Sequence, residues 1–233
     1  MKNTLLILSI LFSFSSTATA QEATTHHKKM PTRFQTVPLN QAQLHQEGKE
    51  KYYCPKCGMT LHVFYKTNHL AEVDGNKKQF CSFHCLANAL QSDSNVTNIK
   101  VVDTNNLTFI ETNSSWYVVG SSKMGTMSKV SKYAFSTKED AQKFTTEFGG
   151  EIKSFKETLN QVNSGLTASQ EMIQKKQNKM AKKGEMLFSK ICQPIEQKFN
   201  SIVDAKTYLT THQPCGNIRG RKLQAIAIYL SKR

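Results

Sequence analysis

Two pairs of cysteines constrain this chain of 233 residues more than any other feature of its sequence. Cys54 and Cys57 lie in the sequence Cys-Pro-Lys-Cys-Gly-Met, and Cys81 and Cys85 lie in Phe-Cys-Ser-Phe-His-Cys. With 23 residues between the pairs, the spacing is typical of a metal site in which a knuckle and a helix start each supply two thiolates. If the helix begins at Cys81, His84 shares a face with the second pair. Thiolates bind zinc, Cu(I) or an iron–sulfur cluster, and spacing alone does not choose among them.

The methionines favour copper over zinc. Met59 follows Cys57 by two residues, and Met124 and Met127 lie in a polar segment, Lys-Met-Gly-Thr-Met, where no core packing is evident. Cu(I) accepts thioether and thiolate ligands, whereas zinc makes little use of methionine. Methionine is also a common filler of irregular gaps in cores, so the sequence leaves both roles open for each of the three.

The first 20 residues have the layout of a secretory signal peptide. Lys2 precedes an apolar run at 5–14, and small residues end in Ala-Thr-Ala at 18–20, which is typical of a cleavage site. The apolar run is too short to span a bilayer. We therefore expect export to the periplasm without stable membrane insertion, and the alternative is an uncleaved N-terminal anchor.

Residues 21–48 are polar, poor in aromatic residues and without periodicity, which predicts a flexible arm. His26 and His27 lie in this arm and could either contact a metal or remain solvated. We expect the folded part of the chain to begin near residue 49.

The formal net charge of +14 comes almost entirely from lysine. Arginine, whose guanidinium forks recognise phosphates and bases, occurs at only four positions, and the lysines are scattered along the chain. These features argue against a nucleic-acid partner. The lysines either keep the protein soluble or steer an acidic partner towards it.

The central part of the chain predicts an α+β fold with two tandem ββαβ-like units, at about 49–97 and 98–160. Ser82 is a candidate cap for the helix of the first unit. The helix of the second unit begins at a capping box, 136–139, and ends at Gly149-Gly150. The predicted strands are 63–65, 70–73 and 78–81 in the first unit and 99–102, 107–110 and 116–119 in the second.

The last third of the chain has a helical character, with a lysine-rich helical linker at 161–183 and a small helical unit at 184–233. This unit is similar to the flanking helices of small c-type cytochromes, but no Cys-x-x-Cys-His motif is present to attach haem. Cys192 and Cys215 most simply form a disulfide, which would stabilise so small a unit by roughly 3 kcal/mol. A redox or copper-binding role for this pair is the alternative.

The stretch from Cys54 to about Leu159 contains a series of motifs in a characteristic order. They are Cys-Pro-Lys-Cys-Gly-Met at 54–59, Lys-Met-Gly-Thr-Met at 123–127, Ala-Phe-Ser at 134–136, Glu139, Asp140, Ala141, Phe144, Gly149-Gly150 and Phe155. In these residues the stretch resembles the NosL family, the accessory proteins that supply copper to nitrous oxide reductase. The resemblance implies a Cu(I) chaperone rather than an enzyme, with two tandem ββαβ units related to the organomercurial lyase fold. It also implies that Cys57, Met59 and Met124 are copper ligands, and that the partner is nitrous oxide reductase or its maturation machinery.

Two other functions compete with a copper chaperone. The segment Phe-Cys-Ser-Phe-His-Cys is similar to TRASH or YHS heavy-metal modules, so the protein could be an adaptor with a structural zinc or heavy-metal site. A Cys-x-x-Cys pair also occurs in thiol-disulfide oxidoreductases, although here it precedes strands and not a helix, so a lowered thiol pKa is not expected from its position. We predict no catalytic residue, and the candidate metal ligands are Cys54, Cys57, Met59, Cys81, His84, Cys85, Met124 and Met127.

Overall fold

The computed structural model describes residues 33–93 and 95–233, so the signal peptide predicted at 1–20 and the histidines predicted in the arm lie outside the described residues. The fold is of the predicted α+β class, with two antiparallel sheets and a set of C-terminal helices. The first sheet has the strand order β2-β1-β3-β4, and α1 connects β2 to β3. Its elements are β1 (His69–Val73), β2 (Asn76–Phe80), α1 (Phe83–Ser92), β3 (Val96–Val102) and β4 (Phe109–Glu111).

The second sheet repeats this topology with three strands. Its order is β6-β5-β7, so that its first strand is central, as β1 is central between β2 and β3 in the first sheet. The order of elements is strand, strand, helix, strand in both cases, which confirms the predicted pair of ββαβ units. The elements are β5 (Trp116–Val119), β6 (Lys132–Phe135), α2 (Lys138–Phe148) and β7 (Glu151–Lys153).

The strands predicted for the two units were partly assigned to the wrong sheet. The segments predicted at 99–102 and 107–110 belong to the first sheet, where they form most of β3 and β4. The predicted unit boundary at 97 and 98 therefore falls inside β3. Periodicity identified these segments as strands, but their pairing partners depend on contacts that are distant along the chain.

The strand predicted at 63–65 is instead part of a 3-10 helix, Leu61–Thr67. Its buried side chains Leu61, Phe64 and Tyr65 have the i, i+3, i+4 spacing of a helix and not the alternation of a strand. Three residues were too short a window to distinguish the two patterns. Shorter 3-10 helices occupy Leu39–Gln41, Lys49–Tyr52 and Thr112–Ser114.

Residues 33–48 do not form the flexible arm that their composition predicted. Val37 is buried against Tyr65 and Val102 of the first unit. The ring of Phe34 lies 5.2 Å from that of Tyr133 in the second unit. The segment thus packs on both units through a few well-separated apolar side chains, which leave no periodic signal in a polar sequence.

Buried Asp103 joins the two sheets where β3 ends. One carboxylate oxygen accepts hydrogen bonds from the backbone of Asn105 and Asn106, and the other accepts from Ser136 N at 2.7 Å. The carbonyl of Ala134 accepts a further bond from Thr104 N. These contacts fix the second unit against the first, at the end of β6.

Within the described residues, four further helices complete the fold. The structure differs from the predicted boundary between a linker and a helical unit at 183 and 184, because one helix runs through it without a break. Gly184 lies within this helix and allows close packing on α6, since a Cβ atom there would lie 2.5 Å from the carbonyl carbon of Ala225. The helices are α3 (Phe155–Ser164), α4 (Leu166–Ile191), α5 (Ile202–His212) and α6 (Gly220–Leu230).

A disulfide joins Cys192, just after α4, to Cys215, between α5 and α6. It ties together the three helices that surround the hydrophobic cluster of this unit, which includes Leu209, Leu223 and Ile226. Within residues 33–93 and 95–233, no helix is both long enough and apolar enough to cross a bilayer.

Candidate metal centre

The first cysteine pair lies on a tight knuckle. Tyr53 and Thr60 form an antiparallel bridge that closes it. Inside it, Gly58 N donates to the carbonyl of Cys54, and Cys54 N donates to the carbonyl of Met59. Gly58 has φ +68°, a conformation that costs other residues free energy, so glycine suits the turn that directs both thiols inward.

The second pair lies at the start of α1. Cys81 directly follows β2, and Cys85 is in the first helical turn, where its backbone N–H donates to the side chain of the N-cap, Ser82. The helix begins at Phe83, so Cys81 precedes it, but the strand and the cap still bring both thiols to one place. The positive end of the helix dipole favours a thiolate there.

The four thiols meet in the core of the first unit. Their sulfur atoms all lie within 4.8 Å of one another. Cys57 Sγ is 3.4 Å from Cys81 Sγ and 3.7 Å from Cys85 Sγ, and the last two are 3.8 Å apart. All four side chains are buried, and Cys57 is the most exposed at 4%. This four-cysteine cluster could hold one soft metal ion.

The thiols influence one another's protonation. Burial raises the pKa of Cys54, but hydrogen bonds from Cys57, Cys81 and Cys85 outweigh it and hold that pKa well below the usual value. Burial raises the pKa of Cys81, and hydrogen bonding to Cys54 raises that of Cys85. One proton therefore leaves readily and the next are held more tightly, because adjacent negative charges repel. A bound cation would reverse this by replacing the protons.

The C-terminal helices clamp the knuckle from outside. Lys206 of α5 is 1% exposed, and its ammonium donates to the carbonyl of Gly58 at 2.5 Å. Gln224 of α6 donates to the carbonyl of Cys57 at 3.2 Å. Ile202 packs directly on Gly58, where a Cβ atom would lie only 2.9 Å from the Ile202 Cβ. The knuckle is thus held in place by residues about 150 positions later in the chain.

Lys206 also places a positive charge beside the thiols. Burial lowers its pKa to about 8, and the attraction of Cys57 and Cys54 opposes that decrease. An ammonium here partly balances the negative charge of thiolates in the cluster.

The three methionines of the predicted site lie on one side of the cluster. A pocket of about 440 Å³ is lined by Met59, Met124 and Met127 together with Cys57. Met59 and Met127 are half-buried against the core of the first unit, whereas Met124 is 65% exposed. Cys57 therefore belongs to the four-cysteine cluster and also faces a pocket lined by thioethers.

The loop that carries Met124 and Met127 is held by Tyr133 of the second unit and by Thr67 of the first. The Met124 carbonyl accepts a hydrogen bond from Tyr133 Oη at 2.7 Å. The hydroxyl of Thr126 lies 2.9 Å from that of Thr67, which is in turn 2.8 Å from the carbonyl oxygen of Cys81. This loop is therefore anchored next to the second cysteine pair.

About half of this chain is similar to a known protein family. The NosL family model matches residues 45–162, which is about half of the chain. The chain belongs to the NosL family. A comparison with curated proteins finds no match. Among solved structures, the crystal structure of the copper chaperone NosL from Shewanella denitrificans is similar, at 27% identity over 52% of this chain and 96% of that one, with a TM-score of 0.41.

The NosL segment contains every candidate ligand named from the sequence, but His84 is not part of the four-cysteine cluster. Its ring is buried and lines a pocket with Thr126 and Lys132. Burial lowers its pKa, and Lys132 lowers it further, which keeps the ring neutral. The sequence predicted that Cys81, His84 and Cys85 would share one helix face. Because the helix starts after Cys81, they do not.

Residues beyond the NosL segment also reach the site, and sequence reasoning missed them. Besides Lys206 and Gln224, the helix α4 brings Met172 and Met180 to the pocket that contains Cys57. The available signal was that two methionines stand in a polar, lysine-rich stretch. A polar surrounding also makes Met124 a candidate ligand. The lysine-rich composition of 161–183, however, predicts a linker.

Proposed function

We propose that this protein is a periplasmic Cu(I) chaperone that assists maturation of the copper centres of nitrous oxide reductase. The observation that supports it best is the position of Cys57, which contacts three other thiols and also lines the pocket of Met59, Met124 and Met127. A soft, monovalent ion is the metal that uses thiolates and thioethers together. We infer that all these sulfur atoms are available to copper, with His84 as a neighbour and not a ligand.

A chaperone must bind its cargo firmly but release it to a partner. Cu(I) held by Cys57 with Met59 and Met124 would meet both needs, because the thiolate supplies affinity and the exposed Met124 is open to displacement. A ligand of the partner can then replace the thioether before the thiolate leaves. The lysine-rich surface would steer an acidic partner or an acidic donor towards this pocket.

The family carries the rest of the proposal. NosL proteins are accessory to nitrous oxide reductase. The secretory signal predicted at 1–20 would deliver this chain to the periplasm. We infer that the enzyme, or its maturation machinery, is the partner, and that the chain itself catalyses no reaction.

A structural zinc site is the second candidate, and the four-cysteine cluster is the observation that favours it. Four buried thiols from a knuckle and a helix start are the usual ligands of tetrahedral structural zinc. In that case the methionines would have no role in binding, since the four thiolates would complete the coordination. The two functions therefore differ in their dependence on Met59 and Met124.

Metal analysis separates the candidates. The protein is secreted into a periplasm and purified without oxygen, and its copper, zinc and free thiols are measured. Cu(I) affinity is then determined by competition with a chromophoric Cu(I) chelator. We expect about one tightly bound Cu(I), lost in Cys57→Ser and weakened by about tenfold or more in Met124→Leu, since changes around metal ligands usually cost that much affinity.

Met186→Leu is the matched control. Met186 is 57% exposed on α4 and is not among the residues that line the pocket with Cys57. Its replacement should leave Cu(I) affinity unchanged. One zinc ion per chain, insensitive to Met59→Leu and Met124→Leu, would replace the copper proposal by the structural one. Copper content of nitrous oxide reductase from cells lacking this protein tests delivery.

A further inference from the structure

The pocket beside Cys57 contains more methionines than the NosL segment supplies. Met172 and Met180 of α4 line it together with Met59, Met124 and Met127. We call this pocket the methionine groove. Of the six methionines in the part of the chain that the structure describes, five lie in it.

Packing alone does not explain the two methionines of α4. They lie in a stretch in which most residues are lysine, glutamine or asparagine, with Ile173 as the one large apolar neighbour, and both are only half-buried. Lys176 and Gln177, which lie between them, also line the groove. A core contact would favour leucine or isoleucine, which pack without a flexible thioether. Two thioethers on a polar helix face three others and a thiol. This arrangement suggests a site for an ion that binds sulfur.

The spacing on α4 indicates successive positions and not one shared site. Met172, Lys176 and Met180 are four residues apart, so they follow one face of the helix. Met172 and Met180 are separated by about 12 Å along its axis, at 1.5 Å per residue. A single ion would bind one or the other together with thioethers of the facing loop.

The charges that line the groove favour the passage of Cu(I) over its storage there. Lys176 and Lys129 are among the residues that line it, and their positive charge disfavours a cation. The thioethers are neutral and hold Cu(I) less strongly than a thiolate does. Cys57 at the groove lies next to three further thiols, so affinity increases from the methionines towards the cluster.

We propose that Met172 and Met180 bind Cu(I) in passing, so that the methionine groove is a transfer path between solvent or a partner and Cys57. This inference rests on the proposed function, because it takes Cu(I) as the cargo. Each step exchanges one sulfur ligand for another, and copper remains Cu(I) throughout. The C-terminal helices would then serve transfer as well as clamping the knuckle.

Silver(I) is a diamagnetic probe of the same ligand preference, and it allows a direct test in the full-length mature protein. Methionine methyl groups are labelled with ¹³C and followed by NMR while Ag(I) is added. We expect the methyl signals of Met172 and Met180 to shift along with those of Met59 and Met124. The signal of Met186, on the same helix but outside the groove, should not move.

The kinetic test uses Met172→Leu/Met180→Leu, in which the apolar volume is nearly retained. Stopped-flow transfer of Cu(I) to a chelator should slow by about tenfold, which corresponds to about 1.4 kcal/mol in the barrier. Cu(I) affinity should change much less, since Cys57 remains. Met186→Leu should transfer at the wild-type rate, and circular dichroism confirms that each variant is folded.

The outcomes distinguish this inference from the proposed function. If Cys57→Ser abolishes tight Cu(I) binding but the double variant transfers at the wild-type rate, only the transfer path is refuted. Unshifted methyl signals of Met172 and Met180 would refute it equally. If Cys57→Ser retains all Cu(I), the proposed function itself is wrong.

Discussion

Gly58→Ala tests whether the C-terminal helices hold the cysteine knuckle. Gly58 has φ +68°, and a side chain in that left-handed region costs about 1 kcal/mol. An added Cβ would also lie 2.9 Å from Ile202 Cβ and closer still to its Cγ2. Forcing a methyl group into such a contact costs roughly 1–3 kcal/mol. We therefore expect the free energy of unfolding to fall by about 3 kcal/mol.

The measurement is urea denaturation of the reduced-thiol, metal-free protein with its disulfide intact. If the same variant is unfolded by heat, the loss of about 3 kcal/mol corresponds to a decrease in melting temperature of about 6–12 °C for a chain of this size. The neighbouring hydrogen bond from Lys206 to the knuckle should weaken too, because α5 must move away. Cu(I) affinity is therefore expected to decrease in the same variant.

Gly75→Ala is the matched control. Gly75 has φ +78°, but no atom lies within 4 Å of the Cβ position. The free energy of unfolding of Gly75→Ala should therefore fall only by the cost of the left-handed conformation, about 1 kcal/mol. A double-mutant cycle with Ile202→Ala isolates the contact. The clamp is not as we describe it if Gly58→Ala lowers the free energy of unfolding no more than Gly75→Ala does. The same holds if the effects of Gly58→Ala and Ile202→Ala are additive within about 0.5 kcal/mol.

Three further predictions concern stability. Replacing Cys192 and Cys215 by alanine should lower the free energy of unfolding by about 3 kcal/mol, as measured by urea denaturation, because a loop spanning 23 positions is no longer closed. Burial lowers the pKa of His69 to about 3, so between about pH 6.5 and that value only the unfolded state takes up the proton. The free energy of unfolding should therefore fall by about 2 kcal/mol from pH 7 to pH 5. His69→Gln should flatten this dependence. Gly184→Ala should destabilise by about 1–3 kcal/mol in thermal unfolding, since the methyl group meets the Ala225 backbone.

Each of the three has an outcome that contradicts it. An unchanged unfolding midpoint without the disulfide would mean that the helices are fixed by packing alone. The same pH slope in His69→Gln would assign acid sensitivity to other groups. Stabilisation by Gly184→Ala would mean that α4 and α6 are further apart, because alanine is about 1 kcal/mol better than glycine in an open helix.

The sequence was most informative where chemistry needs particular residues at short spacing. Cys54 and Cys57, a glycine at positive φ and Ser82 as a helix cap each specify a local conformation. The disulfide partners could be chosen because the other four cysteines belonged to a pattern. Turn and cap signals in the second unit were also nearly right, since Thr137 caps α2 one residue later than predicted.

The sequence was least informative where a role depends on neighbours far along the chain. The composition of residues 33–48 predicts an arm, and no local pattern singles out Lys206 or Gln224. Their contacts reach Val102, Gly58 and Cys57 respectively, over separations that local patterns do not encode. The same holds for the strands of the first sheet, whose pairing is decided by the whole core.

What the sequence by itself determined is therefore the grouping of the four cysteines and the type of fold, because thiol spacing and short-range periodicity are local properties. Only the tertiary structure decided that α4 brings Met172 and Met180 to Cys57, and that Lys206 reaches the knuckle. A long helix can present its residues to any surface on which it packs. Which surface that is follows from the close approach of α4 to α6 at Gly184, and hence from packing and not from composition.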